Sequence, residues 1–148
     1  MINNTGRILG VDPGDKRIGL SISDPTQTIA SPLTVIEHQS RTEDAIRILS
    51  EALDNDAVLI IVGYPDENEY APGFQGRKSI RLRDELRLRG DIPVKLWNEY
   101  GSTKEAQSAR RKMGVSRQKR SGHLDDLAAT VILQSYLDSQ MDEGIDEE

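Results

Sequence analysis

RILGVDPGDKRIGLSISD, residues 7–24, predicts two strands joined by a tight turn. Its first part is a short apolar run, and in its last part apolar residues alternate with Gly and Ser, the period-two pattern of a half-buried strand. Pro13-Gly14 predicts the turn, because Pro fixes φ and Gly tolerates a positive φ. Asp12 therefore lies where a core strand meets a turn.

The position of Asp12 makes it the first candidate for chemistry. A carboxylate at the mouth of a core strand is costly to desolvate unless a cation or hydrogen bonds compensate it. The alternative is a turn aspartate that caps its own backbone, the commoner situation for an isolated Asp-Pro-Gly. Other acidic residues along the chain bear on the choice.

Length and composition predict one soluble, cytoplasmic domain. A chain of 148 residues can bury a real core, and the absence of Cys excludes a disulfide framework and a thiolate metal site. No apolar run approaches the roughly 18 residues of a membrane helix, and MINNTGR lacks the core of a signal peptide. We expect the folded domain to span residues 1–138 and residues 139–148 to form an acidic, disordered tail.

Charge is segregated along the chain. The net charge is −6, yet residues 138–148 hold six acids and no base, so the rest of the chain is neutral. Residues 104–123 contain seven Lys or Arg and one acid. Such a segment suits a phosphate backbone, but charge alone is explained more simply by a solvated helix face.

The remaining pattern predicts an α/β fold with a mixed sheet covered by helices. Strands are expected at residues 29–37, 57–63 and 93–97, and helices at about 40–53, 77–89, 102–113 and 123–137. Pro32 indicates an edge position or a bulge, and Ser40 and Glu43 have the spacing of a capping box. The apolar face of the first helix is predicted to comprise Ala45, Ile46, Leu49, Ala52 and Leu53.

Three acids occupy analogous places in this arrangement. Asp12 ends the first strand, Glu99 follows the strand at residues 93–97, and Asp125 lies in the first turn of the last helix. Individually they can be a turn residue, a surface acid and a charge that favours the helix dipole. Together they predict a site, because ligands in an α/β sheet gather at the carboxyl ends of strands.

Carboxylates without His or Cys favour Mg²⁺ or Mn²⁺, and two such ions roughly 3.5–4 Å apart can promote phosphodiester cleavage. Ala128 and Ala129 would let the last helix approach the sheet closely and bring Asp125 toward the strand ends. Lys and Arg neutralise phosphate charge. The residues predicted to hold the nucleic-acid strand are Lys16, Arg17, Arg117, Lys119 and Arg120.

Four ordered blocks, VDPGDKRIGLSISDP, VGYP, NEYGST and VSRQKRSGHLDDLAATVILQSYLD, resemble the bacterial pre-16S rRNA nuclease family and cover about residues 7–138. The resemblance implies a ribonuclease H-like fold with a mixed five-stranded sheet, related to the Holliday junction resolvases. It also implies metal-dependent phosphodiester cleavage that matures the 5′ end of the small-subunit rRNA precursor. The family's acids map onto Asp12, Glu99 and Asp125, which would be both catalytic residues and metal ligands.

The chain departs from the family at its fifth strand, where Asp-Glu-Arg is often found and Asn98-Glu99-Tyr100 stands here. One carboxylate and one guanidinium are thereby lost beside Glu99.

Other functions stay open on the sequence alone. The substrate could be branched DNA instead of structured RNA, with the protein a monomer or a weak homodimer. A non-catalytic RNA-binding assembly factor would use the basic segments only. The D-x-G pattern also resembles the phosphate loop of actin-like and sugar-kinase ATPases, but those enzymes need two such domains.

Overall fold

A computed structural model of the chain describes residues 5–65, 73–98 and 121–146, with side chains in the last range from 127 to 141. The described part contains five strands and three helices. They are β1 Arg7–Pro13, β2 Arg17–Ser23, β3 Ala30–Glu37, α1 Arg41–Asp54, β4 Ala57–Tyr64, α2 Phe74–Arg89, β5 Val94–Asn98 and α3 Ser121–Asp146. The helix predicted at residues 102–113 lies outside the described residues.

The five strands form one mixed sheet in the order β3-β2-β1-β4-β5. β1, β2 and β3 pair antiparallel, whereas β1, β4 and β5 pair parallel. This division follows from the connections, because a short turn can join only antiparallel neighbours and a parallel neighbour requires a long crossover, here through a helix. The predicted mixed five-stranded sheet is confirmed.

Both expectations for Pro32 hold. β3 is an edge strand of the sheet. Its register with β2 shifts by one residue, since Leu20 pairs with Thr34 and Ser21 with Pro32, which leaves Leu33 as the extra residue of a bulge. Proline lacks a backbone N–H and is tolerated where the ladder is interrupted.

Helices cover both faces of the sheet and enclose two cores. Leu9 and Val11 of β1 pack in the core beneath α1 and α2, whereas Ile8 packs in the core beneath α3. β4 contributes to both, as its unbroken apolar run predicts. Its residues in the first core are Ile60 and Val62, and those in the second are Leu59 and Ile61.

The start of α1 is as predicted, because Ser40 Oγ accepts a hydrogen bond from the Glu43 N–H at 3.1 Å. The apolar face predicted for α1 is only partly correct. Ile46 is 50 % exposed and Leu53 68 % exposed, whereas Ile48, left out of the prediction, is fully buried. The buried stripe follows the 3.6-residue period from Ala45 through Ile48, and apolar residues off that stripe stay in solvent.

α2 ends at Arg89, as predicted, and Gly90 follows it with a φ of −139°. A Cβ at Gly90 would lie 2.8 Å from Leu49 Cδ2, at the end of a side chain of α1. A larger residue here would therefore require the Leu49 side chain to move. α2 also begins three residues earlier than predicted, at Phe74.

α3 extends beyond both ends of the helix predicted at residues 123–137. It passes residue 138 without a break, because residues 139–143 contain neither Pro nor Gly to stop it. The division into a domain at residues 1–138 and a tail at residues 139–148 stays a prediction. None of the helices in the described ranges has the length and apolar character needed to cross a membrane.

Ile48→Ala should lower the free energy of unfolding by about 2–5 kcal/mol, because it opens a cavity in a fully buried site. Ile46→Ala, two residues away on the same helix and half exposed, is the matched control and should cost less than about 1 kcal/mol. Urea denaturation of both variants measures the difference. Equal losses would contradict the assignment of the α1 stripe.

Candidate active site

Asp12 lies near the end of β1, at the edge where the carboxyl ends of β1, β4 and β5 meet. Side chains alternate between the faces of a strand, and Val11 belongs to the core beneath α1 and α2. Asp12 therefore faces the α3 side of the sheet, as Ile8 does. Its side chain is half-buried.

Glycines occupy the neighbouring strands beside Asp12. Gly19 of β2 is its direct partner. On the other side, Gly63 follows Val62, which pairs with Val11, and so comes next to Asp12 in the register. A Cβ at Gly63 would lie 2.6 Å from Ile132 Cδ1, so this glycine lets α3 pack directly on the strands beside the carboxylate.

The backbone of α3 also lies directly against the sheet at Gly10. A Cβ at Gly10 would lie 3.2 Å from the Ala129 carbonyl oxygen and 2.9 Å from Leu133 Cβ. Ser21, opposite Gly10, donates from Oγ to that same Ala129 oxygen at 2.8 Å in a buried hydrogen bond. The close approach expected from the small residues of the last helix is present at Ala129.

Two hydrogen bonds establish how α3 runs across the strands. Gln134 Oε1 accepts from the backbone N–H of Ala30, the partner of Ser23, whereas the Ala129 oxygen accepts from Ser21. Two residues along β2, about 6.6 Å, thus correspond to five along α3, about 7.5 Å.

The next step of two residues along β2 reaches Gly19, the partner of Asp12. The corresponding step along α3 reaches residues 124 and 125. Continued in this way, the helix register would bring residue 125 toward the level of Asp12, and the position of the Asp125 side chain stays a prediction.

Glu99, the third predicted metal ligand, lies just beyond the described part of β5. β5 ends at Asn98, which pairs with Tyr64 at the same edge of the sheet, and Glu99 comes next in the chain but lies outside the described residues. The described side chains include neither Glu99 nor Asp125, and among them no group of three His, Cys, Asp or Glu could hold a metal ion. The three-carboxylate set therefore stays a prediction.

Lys16 and Arg17, predicted to contact nucleic acid, are exposed at the same edge as Asp12, Lys16 on the β1–β2 turn and Arg17 at the start of β2. Gly14 in this turn does not have a positive φ. Glycine is required there because a Cβ would collide with the Arg17 carbonyl oxygen. The other three predicted contacts, Arg117, Lys119 and Arg120, lie outside the described residues.

Lys78 of α2 forms hydrogen bonds with the same turn. Its Nζ donates to the Gly14 carbonyl oxygen and to Asp15 Oδ1, the latter at 2.9 Å. These contacts, helped by Gln75, lower the pKa of Asp15 below its ordinary value. The interaction therefore favours the folded state above the unfolded pKa and is lost as the pH falls through the folded pKa.

Lys78→Gln should raise the pKa of Asp15 toward its ordinary value, because it removes the strongest partner of the carboxylate. Carboxyl-carbon NMR during an acid titration measures this pKa. Lys95→Gln removes a lysine from β5 instead and should leave it unchanged. A pKa of Asp15 that is the same in both variants would show that the turn is not held by α2.

Gly10→Ala should destabilise the fold by about 1–3 kcal/mol, because the added methyl overpacks the contact with α3. Since α3 must move outward, the helix turn before Ala129 should also move away from Asp12, and the phosphodiester cleavage expected from the sequence should fall further than thermal unfolding explains. Denaturation and cleavage assays at a temperature where the variant is folded measure both. Stability and activity equal to the parent protein would contradict the close packing.

Comparison with known proteins shows which family the chain resembles. The RuvX family, described as Holliday junction resolvase, matches residues 6–139. A protein of Thermoanaerobacter pseudethanolicus named "Putative pre-16S rRNA nuclease" is 44 % identical over 135 residues, 90 % of this chain and 97 % of that protein. One of the same name from Syntrophus aciditrophicus is 40 % identical over 139 residues, 94 % and 93 % of the two chains.

Solved structures show the fold. T. thermophilus RuvC in complex with a Holliday junction substrate matches with a TM-score of 0.61 and 16 % identity over 91 % of this chain and 95 % of that one. The yeast mitochondrial Holliday junction resolvase Ydc2 matches with a TM-score of 0.56 and 12 % identity over 93 % and 80 %. The ribonuclease H-like fold implied by the sequence blocks is confirmed, and the chain belongs to the RuvX family.

Proposed function

We propose that this protein is a metal-dependent nuclease that cleaves the precursor of 16S rRNA near its 5′ end. The observation that carries the proposal is the position of Asp12, a half-buried carboxylate at the carboxyl edge of three parallel strands, on the face where α3 packs closely at Ala129. Membership in a family of nucleases supports phosphodiester hydrolysis as the reaction.

The available donors fit a hard divalent cation. Asp12, Glu99 and Asp125 would offer carboxylate oxygens, the ligands that Mg²⁺ and Mn²⁺ prefer, and this chain has no Cys to favour a softer metal. When bound, the ion would activate water and stabilise the leaving oxygen of the phosphodiester. Asn98 carries no charge, and alternation along β5 places it with Leu96 on the face away from Asp12, so ion binding would depend on the three carboxylates.

The basic residues of the β1–β2 turn would position the substrate. Lys16 of that turn and Arg17 at the start of β2 lie exposed a few residues beyond Asp12 and would neutralise phosphates that flank the scissile bond. Arg117, Lys119 and Arg120 precede α3 in the chain and would contact the same strand. These contacts set register on the nucleic acid and read no base sequence.

Precursor rRNA is preferred over branched DNA because the relatives named for rRNA cleavage are 35–44 % identical over most of the chain. The resolvases of known structure are only 12–18 % identical. Four-way DNA stays the second candidate, because the family description itself names Holliday junctions. A role in ribosome maturation would place the protein in the cytoplasm. We expect it to act as a monomer or a weak homodimer.

Asp12→Asn should reduce Mg²⁺-dependent cleavage of precursor rRNA by at least about 100-fold, the scale expected when a group that stabilises transition-state charge is lost. Asp91→Asn, an exposed acid between α2 and β5, is the matched control and should cleave normally. Product mapping with Mg²⁺, Mn²⁺ or a chelator, on precursor rRNA and on a synthetic four-way junction, measures activity and substrate together.

Each outcome of that assay decides something. Full activity of Asp12→Asn would refute the site. If the protein cuts the DNA junction symmetrically and leaves the rRNA intact, four-way DNA would take the place of precursor rRNA as the proposed substrate. RNA binding without any cleavage by the parent protein would favour an assembly factor over an enzyme.

A further inference from the structure

A cavity of about 370 Å³ opens on the other face of the sheet from Asp12. Its walls come from the β1–β2 turn, from the segment that leads into α1, and from the first half of α2. Ile18 and Leu82, at its floor, belong to the core beneath α1 and α2. Pro13, the residue after Asp12, also lines it, so the cavity and the candidate active site lie back to back across β1.

Both acids in the cavity wall are already compensated. Asp44 is 2 % exposed, accepts a hydrogen bond from the Gln39 N–H at 2.9 Å and pairs with His38 Nδ1. Asp15 accepts from Lys78 at 2.9 Å. Neither carboxylate leaves an uncompensated negative charge in the cavity.

The cavity keeps a surplus of positive charge. Arg41 of α1 and Arg81 of α2 both line it and are exposed, and neither has a side-chain partner among the residues that the structure describes. His38 also lines it, and because Asp44 occupies Nδ1, the other ring nitrogen stays available to a ligand. α1 and α2 both begin at the cavity, and the partial positive charge of a helix N-terminus adds to that of the side chains.

We propose that this cavity binds the phosphate group of a nucleotide. Arginine is well suited to phosphate, because its planar guanidinium donates two parallel hydrogen bonds. The volume is that of a small-molecule site and exceeds what inorganic phosphate alone requires. Apolar wall atoms of Phe74, Ile18 and Leu82 would contact the sugar and base.

The nucleotide has two possible sources. It is either a free nucleotide or one residue of the nucleic-acid strand that passes over the sheet edge to Asp12. The second source rests on the proposed nuclease function, and the first does not.

The test uses the full chain with Asp12→Asn as background, so that RNA is bound but not cut. Arg41→Gln/Arg81→Gln is compared with Arg83→Gln/Arg89→Gln, which removes equal charge from α2 residues that do not line the cavity. Calorimetry with adenosine 5′-monophosphate and fluorescence anisotropy with a single-stranded RNA oligonucleotide measure the two affinities. Equal thermal midpoints confirm that both double variants are folded.

At least a tenfold loss of nucleotide affinity in the cavity variant alone identifies a free nucleotide as the ligand. The same loss for RNA, without measurable binding of the mononucleotide, identifies a residue of the strand. Affinities for both probes that match the control variant overturn the proposal. Neither measurement involves cleavage, so an inactive parent protein would refute the nuclease function without touching this result.

Discussion

The hydrogen bond from Ser21 Oγ to the Ala129 carbonyl oxygen is the contact on which the geometry of the site depends. A buried hydroxyl requires a hydrogen-bond partner, and here the partner is a backbone carbonyl of a helix that lies directly on the sheet. Gly10 makes that contact possible because any side chain at its position would hold α3 away. The height and the register of α3 over the strands follow from these two residues.

That register connects packing with chemistry. α3 runs antiparallel to β1, so the turn before Ala129 reaches the carboxyl edge of the sheet, where Asp12 ends its strand. In the proposed site, Asp125 would reach the level of Asp12 through helix contacts that are made several residues away. The small residues of the interface are therefore as important to the site as the acids themselves.

Much of the sheet could be predicted from local sequence patterns. Alternating residues 18–23 and the apolar run at residues 57–63 specify strands, and Pro32 specifies an edge with a bulge, since each depends on neighbours in sequence. The buried face of α1 was predicted only in part, because Ile46 and Leu53 were included although Ile48, and not Ile46, continues the helical period from Ala45. Gly14 was assigned to the turn for the wrong reason, since its φ is not positive and glycine is needed there to avoid the Arg17 carbonyl oxygen. The cavity was missed altogether, as Arg41 and Arg81 meet only when α1 and α2 pack.

The bulge in β3 has a consequence for how copies of the chain can associate. An exposed edge strand is a template on which a second chain can extend the sheet. Here Pro32 removes a backbone donor and Leu33 interrupts the spacing of the ladder on the outermost strand. A partner strand laid along β3 would meet mismatched hydrogen-bonding groups, so this side of the sheet protects the protein against fibre-like stacking and directs self-association to other surfaces.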